Sequence, residues 1–169
     1  MEENPMREIR IEKVTLNVGC GGDLQKIERA KKLLEMLTGK KPVTTKSKRR
    51  STFGIAKGKP VGVKVTLRKK DAEEFFKKVL LAVDKKVKQS QLDKDGNLNI
   101  GIKEYIDLPN IKYQPSIGIL GFDTAVTFER PGYRVKRRKV KKGNIPKEHR
   151  INKEDVIKFL KEKFGVAVE

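Results

Sequence analysis

The stretch VTTKSKRRSTFGIAKGKPVGVKVTL, residues 43–67, decides the fold. Near its end Val61, Val63, Val65 and Leu67 alternate with Gly62, Lys64 and Thr66, the period-two pattern of a half-buried strand. Val43 opens a partner strand at the other end. The connection, Thr44 to Pro60, is too long for a tight turn and carries six cations: Lys46, Lys48, Arg49, Arg50, Lys57 and Lys59. The pattern predicts a long β-hairpin over 43–67 whose hydrophilic tip is functional or mobile.

The flanking segments extend this into a mixed architecture. Upstream, Ile9 and Ile11, then Val14, Leu16 and Val18, alternate in two phases, which predicts a strand with a bulge near Lys13. Gly19-Cys20-Gly21-Gly22 breaks it. Asp23 can N-cap a helix with Ile27, Ala30, Leu33, Leu34 and Leu37 inward, and Gly39 can stop it. Downstream, Asp71 and Glu74 form a capping-box-like start to a second helix that buries Phe75, Phe76, Val79, Leu80, Val83 and Val87. Asp95-Gly96-Asn97 is a turn before a strand through Leu98, Ile100 and Ile102. Pro109 to Gly121 is a loop, and Ala125 to Glu129 a further strand. A last helix spans 152–164, with Asn152 as N-cap, Asp155 three residues on, and Ile151 and Val156 spaced as a hydrophobic staple. The order predicts an α+β fold: a mostly antiparallel sheet with helices packed on one face. At 169 residues it is read as a single domain, 1–169.

Charge is partitioned within that frame. From Met36 to Lys70 there are twelve Lys or Arg and no acid. From Arg130 to Lys147 there are nine more, again with no acid. The rest of the chain carries 20 basic against 22 acidic residues, so the net charge of +19 resides in two patches on a nearly neutral body. Self-repulsion of this kind destabilises a compact state, and a polyanionic partner, most commonly nucleic acid, accounts for it. In the hairpin, hydroxyls interleave the cations, a mixture suited to phosphate and sugar oxygens. Phe53 either stacks on an unpaired base or packs onto the core. In the basic arm, 130–147, seven like charges fall in the nine residues 134–142: Arg134, Lys136, Arg137, Arg138, Lys139, Lys141 and Lys142. Such a segment is expected to order only against an anion, or to stay a disordered basic arm.

Other chemistries find little support. The glycine turn 19–22 lacks the Lys-Ser/Thr pair of a Walker loop, and Asp23 puts negative charge where a phosphate would sit. One Cys and one His cannot build a structural zinc site, and a Cys20–His149 nucleophile pair would require the fold to bring them together. No carboxylate pair stands out as an acid/base couple. No cofactor, metal or small-molecule substrate is expected. The polar N-terminus and the lack of 18 consecutive apolar residues argue against a signal peptide or membrane partner. With a lone cysteine, the expectation is a soluble protein of a reducing compartment. Two rivals to a structural RNA-binding protein are an RNA-processing enzyme, which would need a catalytic cluster, and a free-standing RNA chaperone.

Several segments carry a family resemblance. They are Glu12-Lys13-Val14-Thr15-Leu16-Asn17-Val18-Gly19, Thr38-Gly39-Lys40-Lys41-Pro42-Val43 and the hairpin run from Phe53 to Arg68. Tyr105-Ile106-Asp107-Leu108-Pro109 and Ile117-Gly118-Ile119-Leu120-Gly121-Phe122-Asp123 follow. Together they resemble the large-subunit ribosomal protein that binds 5S rRNA in the central protuberance, the universal family numbered five. Arg130-Pro131-Gly132-Tyr133-Arg134-Val135 and His149-Arg150-Ile151 resemble its archaeal and eukaryotic members, so the chain reads as archaeal in type.

The resemblance implies a non-catalytic, cytoplasmic, ribosome-bound protein that acts in translation and anchors 5S rRNA to the large subunit. It implies RNA recognition by Asn17, Phe53 and Thr66. At a fourth position, usually Gln, this chain has Lys40, which donates but cannot accept and so suits a phosphate. Lys46, Lys48, Arg49, Arg50, Lys57 and Lys59, with Arg134, Lys136, Arg137, Arg138 and Lys139, are the expected contacts to large-subunit rRNA and tRNA backbone. The hairpin tip, about 46–59, is expected to reach the P-site tRNA. Loops within 84–95 and 110–120 are expected to bridge to a small-subunit head protein.

Overall fold

The computed structural model of the chain describes residues 4–52 and 54–168. Strands β1 (Arg10–Gly19), β2 (Val43–Lys46), β3 (Pro60–Arg68), β5 (Leu98–Ile102) and β6 (Phe122–Glu129) form a five-stranded antiparallel sheet in the order β2-β3-β1-β6-β5. A second, two-stranded sheet joins β4 (Lys86–Val87) and β7 (Ala167–Val168) in parallel. The α-helices are α1 (Leu24–Thr38), α2 (Lys70–Ala82), the single turn α3 (Arg134–Arg137) and α4 (Lys153–Phe164). The α+β expectation holds. No described helix is long and apolar enough to cross a membrane.

The chain groups into two compact units. One comprises 4–13, 68–99 and 126–168 among the described residues; the other comprises 14–67 and 100–125. The core of the second contains Val14, Leu16 and Val18 of β1, Val63, Val65 and Leu67 of β3, and Ile27, Ala30, Leu33 and Leu34 of α1. The alternation in β1 shifts phase between the buried Ile11 and Val14, where the sequence suggested a bulge. Helix α1 begins as expected, with the Asp23 carboxylate accepting from the N–H groups of Gln25 (2.9 Å) and Lys26 (3.4 Å). It ends at Gly39. Leu37, expected inward, is only half-buried.

The first unit is centred on aromatic rings. Phe76 of α2 meets Phe164 of α4 at 5.1 Å and Phe128 of β6 at 6.4 Å, and Phe159 meets Phe128 at 5.7 Å, all edge to face. That geometry places ring edges against π-faces and adds about 0.5–1.5 kcal/mol per pair to the burial itself. Helices α2 and α4 thus share the β6 face that carries Phe128.

Two expectations for α2 require correction. Its N-cap is Lys69, which makes no side-chain capping bond, and Asp71 sits inside the first turn. It also stops at Ala82 rather than reaching Val87. There Asp84 (φ 52°) and Lys85 (φ 55°) turn left-handed, and the N–H groups of Lys85 and Asp84 donate to the carbonyls of Leu80 and Leu81 at 2.8 and 3.2 Å. This is a Schellman closure with aspartate where glycine is usual, a residue whose short polar side chain tolerates the conformation. Val87 is buried, but in β4 beside β7.

Candidate nucleic-acid interface

The hairpin builds its ribbon from paired backbone. Strands β2 and β3 pair Val43 with Lys64, Thr44 with Val63 and Thr45 with Gly62, then shift so that Lys46 faces Pro60. Beyond the strands the Ser47 N–H donates to Lys59 O (2.8 Å), that of Gly58 to Ser47 O (2.9 Å) and that of Ser51 to Ile55 O (2.9 Å). Lys46, Lys48, Arg49, Arg50, Lys57 and Lys59 are all exposed along this scaffold. Among the described residues none of the six makes an ion pair. Phe53 lies outside the described residues.

Residues opposite one another in an antiparallel pair share a face, so Val43, Thr45, Gly62, Lys64 and Thr66 lie on one side of the β2–β3 pair. Val63, Val65 and Leu67 are buried on the other. Thr66 and Lys64 are exposed, and Val43 is 58 % exposed. On the neighbouring strand, Asn17 is exposed between the buried Leu16 and Val18. Gly62 keeps this surface low: a Cβ there would come within 2.6 Å of the Val18 carbonyl oxygen, a backbone atom that cannot step aside. The fold therefore sets Asn17 and Thr66 at exposed positions of adjacent strands. Lys40 is exposed just past the end of α1, its N–H donating to Thr38 Oγ1 at 3.3 Å.

Within residues 134–142 of the basic arm two cations meet acceptors in the protein, Arg137 on carboxylates and Arg138 on a carbonyl. Arg137 of α3 donates to Glu129 at 2.6 Å and to Glu12, so it bridges β6 and β1. Arg10 adds a contact to Glu129 at 3.3 Å, and Arg68 one to Glu12 at 3.4 Å. Both carboxylates are nearly nine-tenths buried. Arg138 Nε donates to Lys141 O at 2.6 Å. Arg134, Lys136 and Lys139 are exposed and make no ion pair among the described residues.

A second knot holds the ends of the arm. Buried Arg130 donates to the Arg150 carbonyl at 3.2 Å and to Asp155 at 3.0 Å. The Tyr133 hydroxyl donates to His149 O (3.2 Å) and accepts from the Ile151 N–H (2.9 Å). Burial raises the Tyr133 phenol above its ordinary pKa, against the opposing influence of the Ile151 N–H and of Arg130 and Arg150. His149 Nε2 sits 2.8 Å from Pro131 O, and a carbonyl only accepts, so that nitrogen carries the proton. The one histidine is thereby committed to the backbone. Among the described residues no group of three or more His, Cys, Asp or Glu is placed to hold a metal ion.

Sequence reading missed Glu12 and Glu129 as partners of the arm, and Arg10 and Arg68 as further partners of the same carboxylates. In sequence each is an ordinary charged strand residue, and only the adjacency of β1, β3 and β6 brings them together.

Comparison with known proteins converges on one family. A model described as ribosomal protein L5 matches residues 4–55, and one described as the ribosomal L5P family C-terminus matches 60–159. The large ribosomal subunit protein uL5 of Sulfurisphaera tokodaii is 51 % identical over 167 residues, covering 98 % of this chain and 94 % of the relative. That of Sulfolobus acidocaldarius is 48 % identical over 168 residues, covering 99 % and 94 %. That of Nanoarchaeum equitans is 49 % identical over 168 residues, covering 98 % and 99 %. The basic hairpin, the open sheet face beside it and the anchored arm are therefore features of a chain that belongs to the ribosomal protein L5 family.

Proposed function

We propose that this chain is a structural, non-enzymatic protein of the large ribosomal subunit that binds 5S rRNA and anchors it in the central protuberance. Residues 1–169 act as one RNA-binding domain in the cytoplasmic ribosome. Asn17 and Thr66, with Phe53 from the hairpin, read the RNA, while Lys40 contacts phosphate. The cations of the hairpin, with Arg134, Lys136, Arg138 and Lys139 of the arm, bind backbone phosphates of rRNA. The hairpin tip reaches the P-site tRNA, and the loops within 84–95 and 110–120 meet a small-subunit head protein. Family membership supports the subunit. The observation that carries the RNA reading is the paired ribbon that holds six exposed cations without an acid among them.

The deciding experiment is a filter-binding titration against purified 5S rRNA and an unrelated structured RNA over a range of salt. Each phosphate neutralised adds about 0.7–0.9 to the slope of log affinity against log salt. A steep slope with preference for 5S rRNA supports the proposal. Equal affinity for both RNAs reduces it to polyanion binding, and cleavage of the RNA would point to the enzyme instead.

A further inference from the structure

The arm poses a physical problem: seven cations in nine residues repel one another, yet three of them fall in the helical turn α3. Two carboxylates that meet Arg137 offset part of that repulsion. Glu12 and Glu129 lie side by side on neighbouring strands, 12 % and 11 % exposed at their side chains. Alone, two largely buried carboxylates would repel each other and lose hydration. Arg137 bridges them, one guanidinium nitrogen on each, while Arg10 meets the other Glu129 oxygen and Arg68 shares the Glu12 oxygen that Arg137 holds. A planar guanidinium can serve two acceptors at once, which a lysine ammonium cannot do with the same geometry.

We propose that Glu12 and Glu129 are positioning residues for RNA binding, and that Arg137 is the clamp they hold rather than a phosphate contact. Their negative charge raises affinity for a polyanion, because it fixes α3 and leaves Arg134, Lys136 and Lys139 presented as a preformed cationic surface. Ordering those long side chains and their backbone before binding removes a cost that association would otherwise carry. The affinity part of this inference rests on the RNA-binding reading above; the clamp itself does not.

The test exploits a sign. E12Q/E129Q removes two negative charges from a chain of net charge +19. Long-range electrostatics alone would then strengthen RNA binding. The clamp predicts the reverse: affinity for 5S rRNA about five- to tenfold weaker, a shallower salt slope, and tryptic cleavage within 134–139 at least about tenfold faster in the free protein. A control, E28Q/E35Q, removes two exposed acids of α1 and should bind at least as tightly as the unaltered chain, with the arm cut at the original rate. Arg137→Lys keeps the charge and perturbs the fold less. It should reproduce the weakening and the faster cleavage, whereas a phosphate contact would largely survive the change.

Unchanged tryptic cleavage in both E12Q/E129Q and R137K overturns the proposal, as does an affinity that rises to match the control. If the unaltered chain shows no preference for 5S rRNA, the functional reading fails instead, and the cleavage rates still decide the clamp.

Discussion

Gly96 lies directly against Val156: a methyl group on Gly96 would stand 2.8 Å from Val156 Cγ2 and 3.0 Å from Ile151 Cγ2. The turn before β5 is thus fitted onto the two apolar residues at the start of α4. Gly96 is also left-handed, at φ 77°. Gly96→Ala is expected to cost about 2–4 kcal/mol, from overpacking and backbone strain together. Urea unfolding followed by far-UV circular dichroism measures it. A loss below about 0.5 kcal/mol would show that the turn relaxes freely.

Tyr133→Phe isolates the second knot. It deletes one hydroxyl that serves both the His149 carbonyl and the Ile151 N–H, while the ring remains. Ile151 is buried, so its N–H is left without its partner, and the expected cost is about 1–2 kcal/mol. Amide exchange at Ile151 should accelerate more than exchange within α1, which belongs to the other compact unit. Equal acceleration at both places would contradict a local role.

Cys20 should be a sluggish thiol in the folded protein. It is buried, and burial pushes its pKa above the ordinary 9.0, with Asp23 adding to the rise and Lys26 opposing it. Iodoacetamide at pH 8 should label it more than about tenfold faster in urea than in buffer, because the thiolate is the nucleophile. The sign of the pH dependence follows. The contribution of this thiol to stability is complete below the unfolded pKa and is lost as pH rises through the raised folded value, since the unfolded chain releases its proton first. A stability that climbed from pH 8.5 to 10 would contradict this, as the raised Tyr133 phenol acts in the same direction.

Phe53 and Lys57 should separate base recognition from phosphate attraction. Under the proposed function Phe53→Ala weakens 5S rRNA binding by about 1–3 kcal/mol with little change in salt slope, as loss of a stacking platform does. Lys57→Ala weakens it less and lowers the slope by about 0.7–0.9, as loss of one phosphate contact does. Paired filter-binding titrations at several salt concentrations distinguish them. Identical losses would remove Phe53 from the specificity contacts.

Local patterns made much of this molecule legible in its sequence. Asp23 and Gly39 mark the ends of α1 because caps are short-range devices, and the alternation through Val63, Val65 and Leu67 marks β3 because a strand shows its two faces in turn. Exposure of the hairpin cations followed from their density, which no core could absorb. The end of α2 was hidden, because its Schellman turn is made by Asp84 and Lys85 with no glycine to announce it. The pairing of β4 with β7 joins two dipeptides that carry no periodic signal.

The arm shows the division most clearly. Its composition alone established that it seeks negative charge, since seven cations within nine residues cannot neutralise one another. For Arg137 the protein itself supplies that charge, because the tertiary structure carries Glu12 across the 125 positions that separate it from Arg137 and sets it beside Glu129. Ion pairs form through space, and sequence separation neither encodes nor forbids them.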